Sequence, residues 1–192
     1  MKVRDEAASL WTLPNRLSVI RILFIPIIVF FISTRDDGLL LASCLLFIIA
    51  GITDGLDGYL ARKMRLTSRL GLYLDPIADK LLVSSVLITL TYYNQIPLWV
   101  TLMLVGREFL INGLRAFYAM EGIAVYPSSA GKIKTALQLV GISCLLFTAR
   151  IEIVDRITNQ LGLGIIYGAL FFSIYSAVNY LAALFRIPAV KS

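Results

Sequence analysis

Histidine is absent from all 192 residues, and cysteine occurs only twice. The first absence removes most zinc sites and every mechanism that needs an imidazole base, so a general base here must be a carboxylate, a lysine or a tyrosine. The two cysteines, Cys44 and Cys144, each stand alone inside an apolar run without the paired spacing of a zinc or redox motif, and read as packing residues. Charged residues make up only 16% of the chain, and neither an internal repeat nor a low-complexity segment interrupts it. What is plentiful is apolar surface. Hydrophobic residues account for 58% and mean hydropathy is +0.82, against roughly 45–50% apolar residues in a soluble domain. Such a chain belongs in a bilayer.

At about 20 apolar residues per spanning helix, the length predicts one all-α, polytopic membrane domain of six transmembrane helices with no separate soluble domain. Six spans can be drawn, from Leu13 to Ser33, Leu39 to Leu60, Leu70 to Asn94, Ile96 to Ala119, Ala130 to Ala149 and Leu161 to Phe185. The first run exceeds a signal-peptide core and lacks a small-residue cleavage site after it, so it is expected to be retained. Residues 1–12 mix Lys2, Arg4, Asp5 and Glu6 with Leu10 and Trp11, as an interfacial segment would, leaving 13–186 as the membrane domain. Ile151 to Gln160 is open between an interfacial helix and a loop.

Charge predicts the orientation. With the N-terminus in the cytoplasm, 15 of the 18 basic residues lie on or toward that side; Arg35, Arg150 and Arg156 are the exceptions, each with acidic neighbours. Both termini then face the cytoplasm across the cell membrane. The net charge of +6 is scattered along loop edges, which suits anionic membrane lipids and anionic substrates and gives no reason to expect nucleic acid.

The stretch richest in chemistry runs Asp54-Gly55-Leu56-Asp57-Gly58-Tyr59-Leu60-Ala61-Arg62, followed by Gly71, Asp75 and Asp79. At 3.6 residues per turn, positions 54, 57, 58, 61 and 62 share one face of the second span, and 71, 75 and 79 share one face of the third. A short basic link joins the two spans, so four carboxylates can converge. Each aspartate within a span costs about 2.5–3.5 kcal/mol, and four anions together repel unless cations sit among them. Arg62 supplies one positive charge, and two divalent cations would supply four. Oxygen ligands without histidine or cysteine favour Mg²⁺ or Mn²⁺, and a metal pair is the usual device for in-line displacement at phosphorus. Gly58, Ala61 and Gly71 leave helix surface bare where a base or diphosphate must approach; tight helix packing is the alternative reading. The site is expected at the cytoplasmic edge of the hydrocarbon, with Asp54 roughly 12 Å deeper than Arg62 at 1.5 Å per residue.

Asp54, Asp57, Gly58, Ala61, Arg62, Gly71, Asp75 and Asp79 together resemble the signature of the CDP-alcohol phosphatidyltransferase family, D-x2-D-G-x2-A-R-x8-G-x3-D-x3-D, at every fixed position. The resemblance implies a six-helix membrane fold, usually homodimeric, with two divalent cations in a polar cavity open to the cytoplasm. By position it implies that Asp54, Asp57 and Asp75 ligate metal, and that Asp79 both completes the metal site and deprotonates the attacking hydroxyl. Gly58, Ala61, Arg62 and Gly71 would contact the nucleotide.

The acceptor must be read outside that signature. Arg107 and Arg115, eight residues apart, lie on nearly one face of the fourth span, and Lys132 and Lys134 open the fifth. Four cations around one cavity suit an acceptor that carries a phosphate, although basic residues at helix ends also snorkel to headgroups, and Arg107 beside Glu108 suits an internal ion pair. The stretches R-E-x5-L-R and S-A-G-K-x-K-T-x2-Q, with Leu13-Pro14-Asn15-Arg16-Leu17-Ser18 and Arg21, resemble the branch of the family that joins CDP-diacylglycerol to sn-glycerol 3-phosphate. Phosphatidylinositol-phosphate synthases and cardiolipin synthases would show the same eight residues. A cation or proton transporter would also place aspartates in its spans, but would have no reason to set Gly58, Ala61 and Gly71 on the same faces.

Overall fold

The computed structural model describes residues 13–64, 69–120, 129–148 and 151–184; the expected interfacial segment, 1–12, lies outside them. Six helices account for nearly all of these residues, and no strand occurs among them: α1 (Leu13–Thr34), α2 (Asp37–Met64), α3 (Arg69–Tyr92), α4 (Leu98–Met120), α5 (Ser129–Leu146) and α6 (Glu152–Leu184).

Local chemistry sets several of the ends. Asp36 caps α2, its Oδ1 accepting from the Leu39 amide at 3.0 Å, and Asp37 in the first turn complements the helix dipole. At the other end of α3, Asn94 takes a left-handed conformation with φ of 60°. Its amide bonds to the Thr91 carbonyl and the Gln95 amide to the Leu90 carbonyl, both at 2.9 Å, which closes the helix in a Schellman turn. Asn94 therefore ends the helix that the apolar pattern had run through it.

The segment left open between a loop and an interfacial helix, Ile151 to Gln160, is the start of α6 and continuous with the last apolar run. Its polar residues are those a helix start favours. Glu152 and Asp155 lie in the first turn, the Thr148 hydroxyl donates to the Asp155 carboxylate at 3.2 Å, and Arg156 pairs with Glu152 one turn back.

The helices pack as two groups bridged through α2 and α4. α1 lies against both α2 and α3, α5 and α6 form the most extensive pair, and α2 meets α5 while α4 meets α3 and α6. The α5–α6 contact is close because Gly141 and Gly162 face each other: a Cβ on Gly162 would sit 3.0 Å from both the Gly141 carbonyl oxygen and the Cys144 Cβ. Cys44 and Cys144 are free thiols, and Cys44 is buried with its Sγ 3.4 Å from the Ser143 carbonyl, as expected of a packing residue.

The core is apolar, with Ile28, Phe47, Leu90 and Leu104 fully buried, but apolar side chains also crowd the surface. Large apolar side chains such as Leu23, Phe30, Ile88, Leu102, Phe109 and Phe171 are exposed, whereas Ser43, Thr101, Glu108, Lys134, Gln138 and Ser173 are buried. Exposed apolar side chains in such number fit a surface that meets lipid or a protein partner, and polar groups turned inward fit a bilayer. Among the described residues, Arg16–Thr34 and Glu152–Ala182 are long and apolar enough to cross a membrane, and Asp37–Thr53 is a shorter apolar stretch.

Candidate active site

One cavity of about 540 Å³ opens among α2, α3, α4, α5 and α6. Its floor is apolar, with Phe47, Leu82 and Ile111, and its walls are charged. Asp79 and Lys80 come from α3, Arg107, Glu108 and Arg115 from α4, and Lys132 and Lys134 from the first turns of α5. Asp79 and all four cations predicted to hold an acceptor phosphate thus line the same space. Five cationic side chains and two carboxylates face it, so the described wall carries an excess of positive charge, as suits an anionic ligand.

Glu108 organises that wall. Its Oε1 accepts from Arg107 at 3.1 Å and from Lys134 through a short ion pair, while its Oε2 lies 3.2 Å from the Lys80 ammonium. Lys80 in turn contacts Asp79 Oδ2 at 2.6 Å. Burying a lone carboxylate here would be prohibitive; three cations around it make burial tolerable. Arg107 is the most completely engaged of the predicted cations. Besides Glu108 it donates from Nε to the Ser173 carbonyl at 3.1 Å and from Nη2 to Ser176 Oγ at 3.0 Å, pinning α4 to α6. The internal ion pair that the sequence suggested for Arg107 is present.

Arg115 and Lys132 are held differently. The Arg115 guanidinium carbon lies 5.8 Å from the centre of the Tyr180 ring, and its buried Nε has no hydrogen-bond partner; the same is true of the Tyr180 hydroxyl. Lys132 is exposed at the cavity rim and has no ion-pair partner among the described residues.

Asp54, Asp57, Gly58, Ala61 and Arg62 fall in the last turns of α2, and Gly71 and Asp75 in the first turns of α3. These are the helix positions the spacing predicts, but the side chains of 54–76 lie outside the described residues. Among those described, no group of three metal-ligating side chains occurs.

Several cavity residues were not singled out from the sequence: Lys80, Ser176 and Tyr180. For the last two a signal existed. Ser173, Ser176 and Tyr180 recur at helical spacing along an otherwise apolar run, which sets a polar stripe on one face of α6.

Residues 11–183 match the CDP-alcohol phosphatidyltransferase family, and the chain belongs to it. Among its relatives, a Bacillus subtilis protein is 38% identical over 184 residues, covering 89% of this chain and 94% of the relative. One from Rickettsia bellii is 37% identical over 171 residues, with the same coverage, and one from Arabidopsis thaliana is 36% identical over 196 residues, covering 94% and 82%. The first two are named CDP-diacylglycerol–glycerol-3-phosphate 3-phosphatidyltransferase, and the plant protein bears that name with the numeral 2.

Proposed function

We propose that this chain transfers the phosphatidyl group of CDP-diacylglycerol to sn-glycerol 3-phosphate, releasing CMP and leaving phosphatidylglycerol phosphate in the membrane. The observation that carries this reading is the convergence of Asp79 with Arg107, Arg115, Lys132 and Lys134 on one cavity. It sets a carboxylate base beside a cationic wall, the pairing needed to activate a hydroxyl on a molecule that also bears a phosphate. The relatives' shared name supports the same donor and acceptor.

Arg115 and Lys132 are the cations best placed to take the acceptor's phosphate. Arg107 and Lys134, fixed by Glu108, shape the wall and its field. Asp79 accepts the proton of the acceptor's primary hydroxyl, whose oxygen attacks the phosphorus bearing diacylglycerol. The bond from that phosphorus to the CMP oxygen breaks, and CMP leaves with the electron pair. Positioning and electrostatics supply most of the rate in such a transfer.

The donor set fits hard divalent cations: four carboxylates, no histidine in the chain, and an Asp79 carboxylate that already holds a positive charge, the Lys80 ammonium. Asp54, Asp57, Asp75 and Asp79 would hold two such ions, Mg²⁺ or Mn²⁺, which neutralise the diphosphate and the departing CMP. Gly58, Ala61, Arg62 and Gly71 would present the surface for the nucleotide. On this reading all six helices span the cell membrane, with the termini and the cavity toward the cytoplasm, and two copies pair in the membrane.

The test is CMP release from CDP-diacylglycerol with glycerol 3-phosphate, inositol phosphate, serine and phosphatidylglycerol compared side by side. Glycerol 3-phosphate should be preferred over each of the others. Preference for any other acceptor would replace this assignment.

A further inference from the structure

The lysine next to Asp79 has no part in the transfer described above, yet it sits between the two carboxylates of the cavity. Lys80 Nζ is 2.6 Å from Asp79 Oδ2 and 3.2 Å from Glu108 Oε2. The two oxygens of Glu108 divide their partners: Oε1 takes Arg107 and Lys134, and Oε2 faces Lys80. Arg107 is further fixed by Ser173 and Ser176, and the Lys134 side chain is almost wholly buried, whereas the Lys80 side chain is 23% exposed. Of the three cations on Glu108, Lys80 is the one with room to move, on a stem of four methylenes.

We infer that Lys80 is a positioning residue, an exchangeable counter-ion that neutralises Asp79 while no divalent cation is bound there and is drawn onto Glu108 when one binds. This rests on the metal-site reading above. The physical argument is short. A carboxylate within the membrane is stabilised by a positive charge beside it. A divalent cation on Asp79 supplies that charge and at the same time repels the ammonium at its side. Glu108 Oε2, already within reach, receives that ammonium without exposing it to lipid. The exchange keeps Asp79 paired and oriented before the metal arrives, and clears Lys80 from its oxygen afterwards.

The test is direct Mn²⁺ binding, followed by electron paramagnetic resonance, to the full-length protein in lipid nanodiscs without substrates. Lys80→Met, which keeps the length of the side chain but not its charge, should tighten Mn²⁺ binding roughly tenfold or more, the equivalent of one charged hydrogen bond. Glu108→Gln removes the second berth and should weaken binding. In Lys80→Met/Glu108→Gln, binding should match that of Lys80→Met alone, because without the lysine there is nothing for Glu108 to draw away. Two charges acting independently at a distance would give additive effects, and additivity would overturn the inference. Should Glu108→Gln fail to fold, Lys80→Met alone still decides, since unchanged or weaker Mn²⁺ binding contradicts the exchange. Mn²⁺ failing to bind the unaltered protein would remove the metal reading as well, whereas normal binding with an indifferent Lys80→Met would remove this inference alone.

Discussion

Five cations line the cavity, and Glu108 separates the four that the sequence singled out into two kinds. Lys134 and Arg107 are locked to its Oε1, whereas Arg115 meets a tyrosine ring and Lys132 stands at the rim. Lys132→Ala or Arg115→Ala should therefore raise the KM for glycerol 3-phosphate roughly ten- to a hundredfold, the equivalent of one charged hydrogen bond, with the affinity for CDP-diacylglycerol nearly unchanged; steady-state kinetics with each substrate varied in turn checks this. Lys134→Met should behave otherwise. Breaking a buried ion pair costs on the order of 3 kcal/mol, so thermal unfolding in detergent should show a loss of stability that Lys132→Ala does not share. Asp79→Asn should abolish turnover while sparing donor affinity, and an equal loss of both would reduce Asp79 to a ligand. At this scale the sequence was informative wherever a charge interrupted an apolar run, which is why Asp79 and the four cations could be named. Lys80 was missed for a geometric reason. Consecutive helical residues point about 100° apart, so nothing in the order of residues says that 79 and 80 both reach one cavity.

Among the helices, the α5–α6 pair depends on the absence of two side chains. Gly162 meets the Gly141 carbonyl oxygen, a backbone atom that cannot turn aside, whereas Gly164, two residues on, has nothing within 4 Å of where its Cβ would be. Gly162→Leu should lower stability by about 1–3 kcal/mol through overpacking, and Gly164→Leu should not; unfolding midpoints of the two variants in the same detergent decide it. Six helices were legible from apolar runs separated by charges and turn residues. Their ends were less so, because hydropathy does not see capping. Asp37 reads as a loop residue until Asp36 is known to cap the helix behind it, and the polar start of α6 reads as a loop until its acidic first turn and the Arg156–Glu152 pair are recognised as helix-compatible. The contacts between helices could not be read at all, since an apolar face packs equally well against lipid or a neighbour.

For the molecule as a whole, one clasp bears on orientation. The Arg35 guanidinium lies 4.4 Å from the centre of the Tyr93 ring, and the Tyr93 hydroxyl donates to the Ser33 carbonyl at 3.3 Å, so the α1–α2 and α3–α4 corners lie together. Cysteines placed at Asp36 and Asn94, in a protein with Cys44 and Cys144 replaced, should thus label from the same side, which the proposed topology puts outside; cysteines at Lys63 or Ser68 should then label only from the cytoplasm. The reverse pattern in sealed cells would invert the topology. The helices also differ in height. At 1.5 Å per residue, the 18 residues of α5 reach about 27 Å and the 33 of α6 about 50 Å, and on the proposed topology the two would stand side by side in a hydrocarbon layer of about 30 Å. No single bilayer thickness would then match both. A thick membrane strands α5 short of the headgroups, and a thin one drives α6 to tilt or protrude. Because α6 carries Ser176 and Tyr180 into the cavity wall and holds Arg107 through the Ser173 carbonyl and the Ser176 hydroxyl, tilting it would strain the grip on Arg107. Turnover in vesicles of graded acyl-chain length should consequently rise to an optimum and fall on either side, making the enzyme responsive to the thickness of the membrane it helps to build.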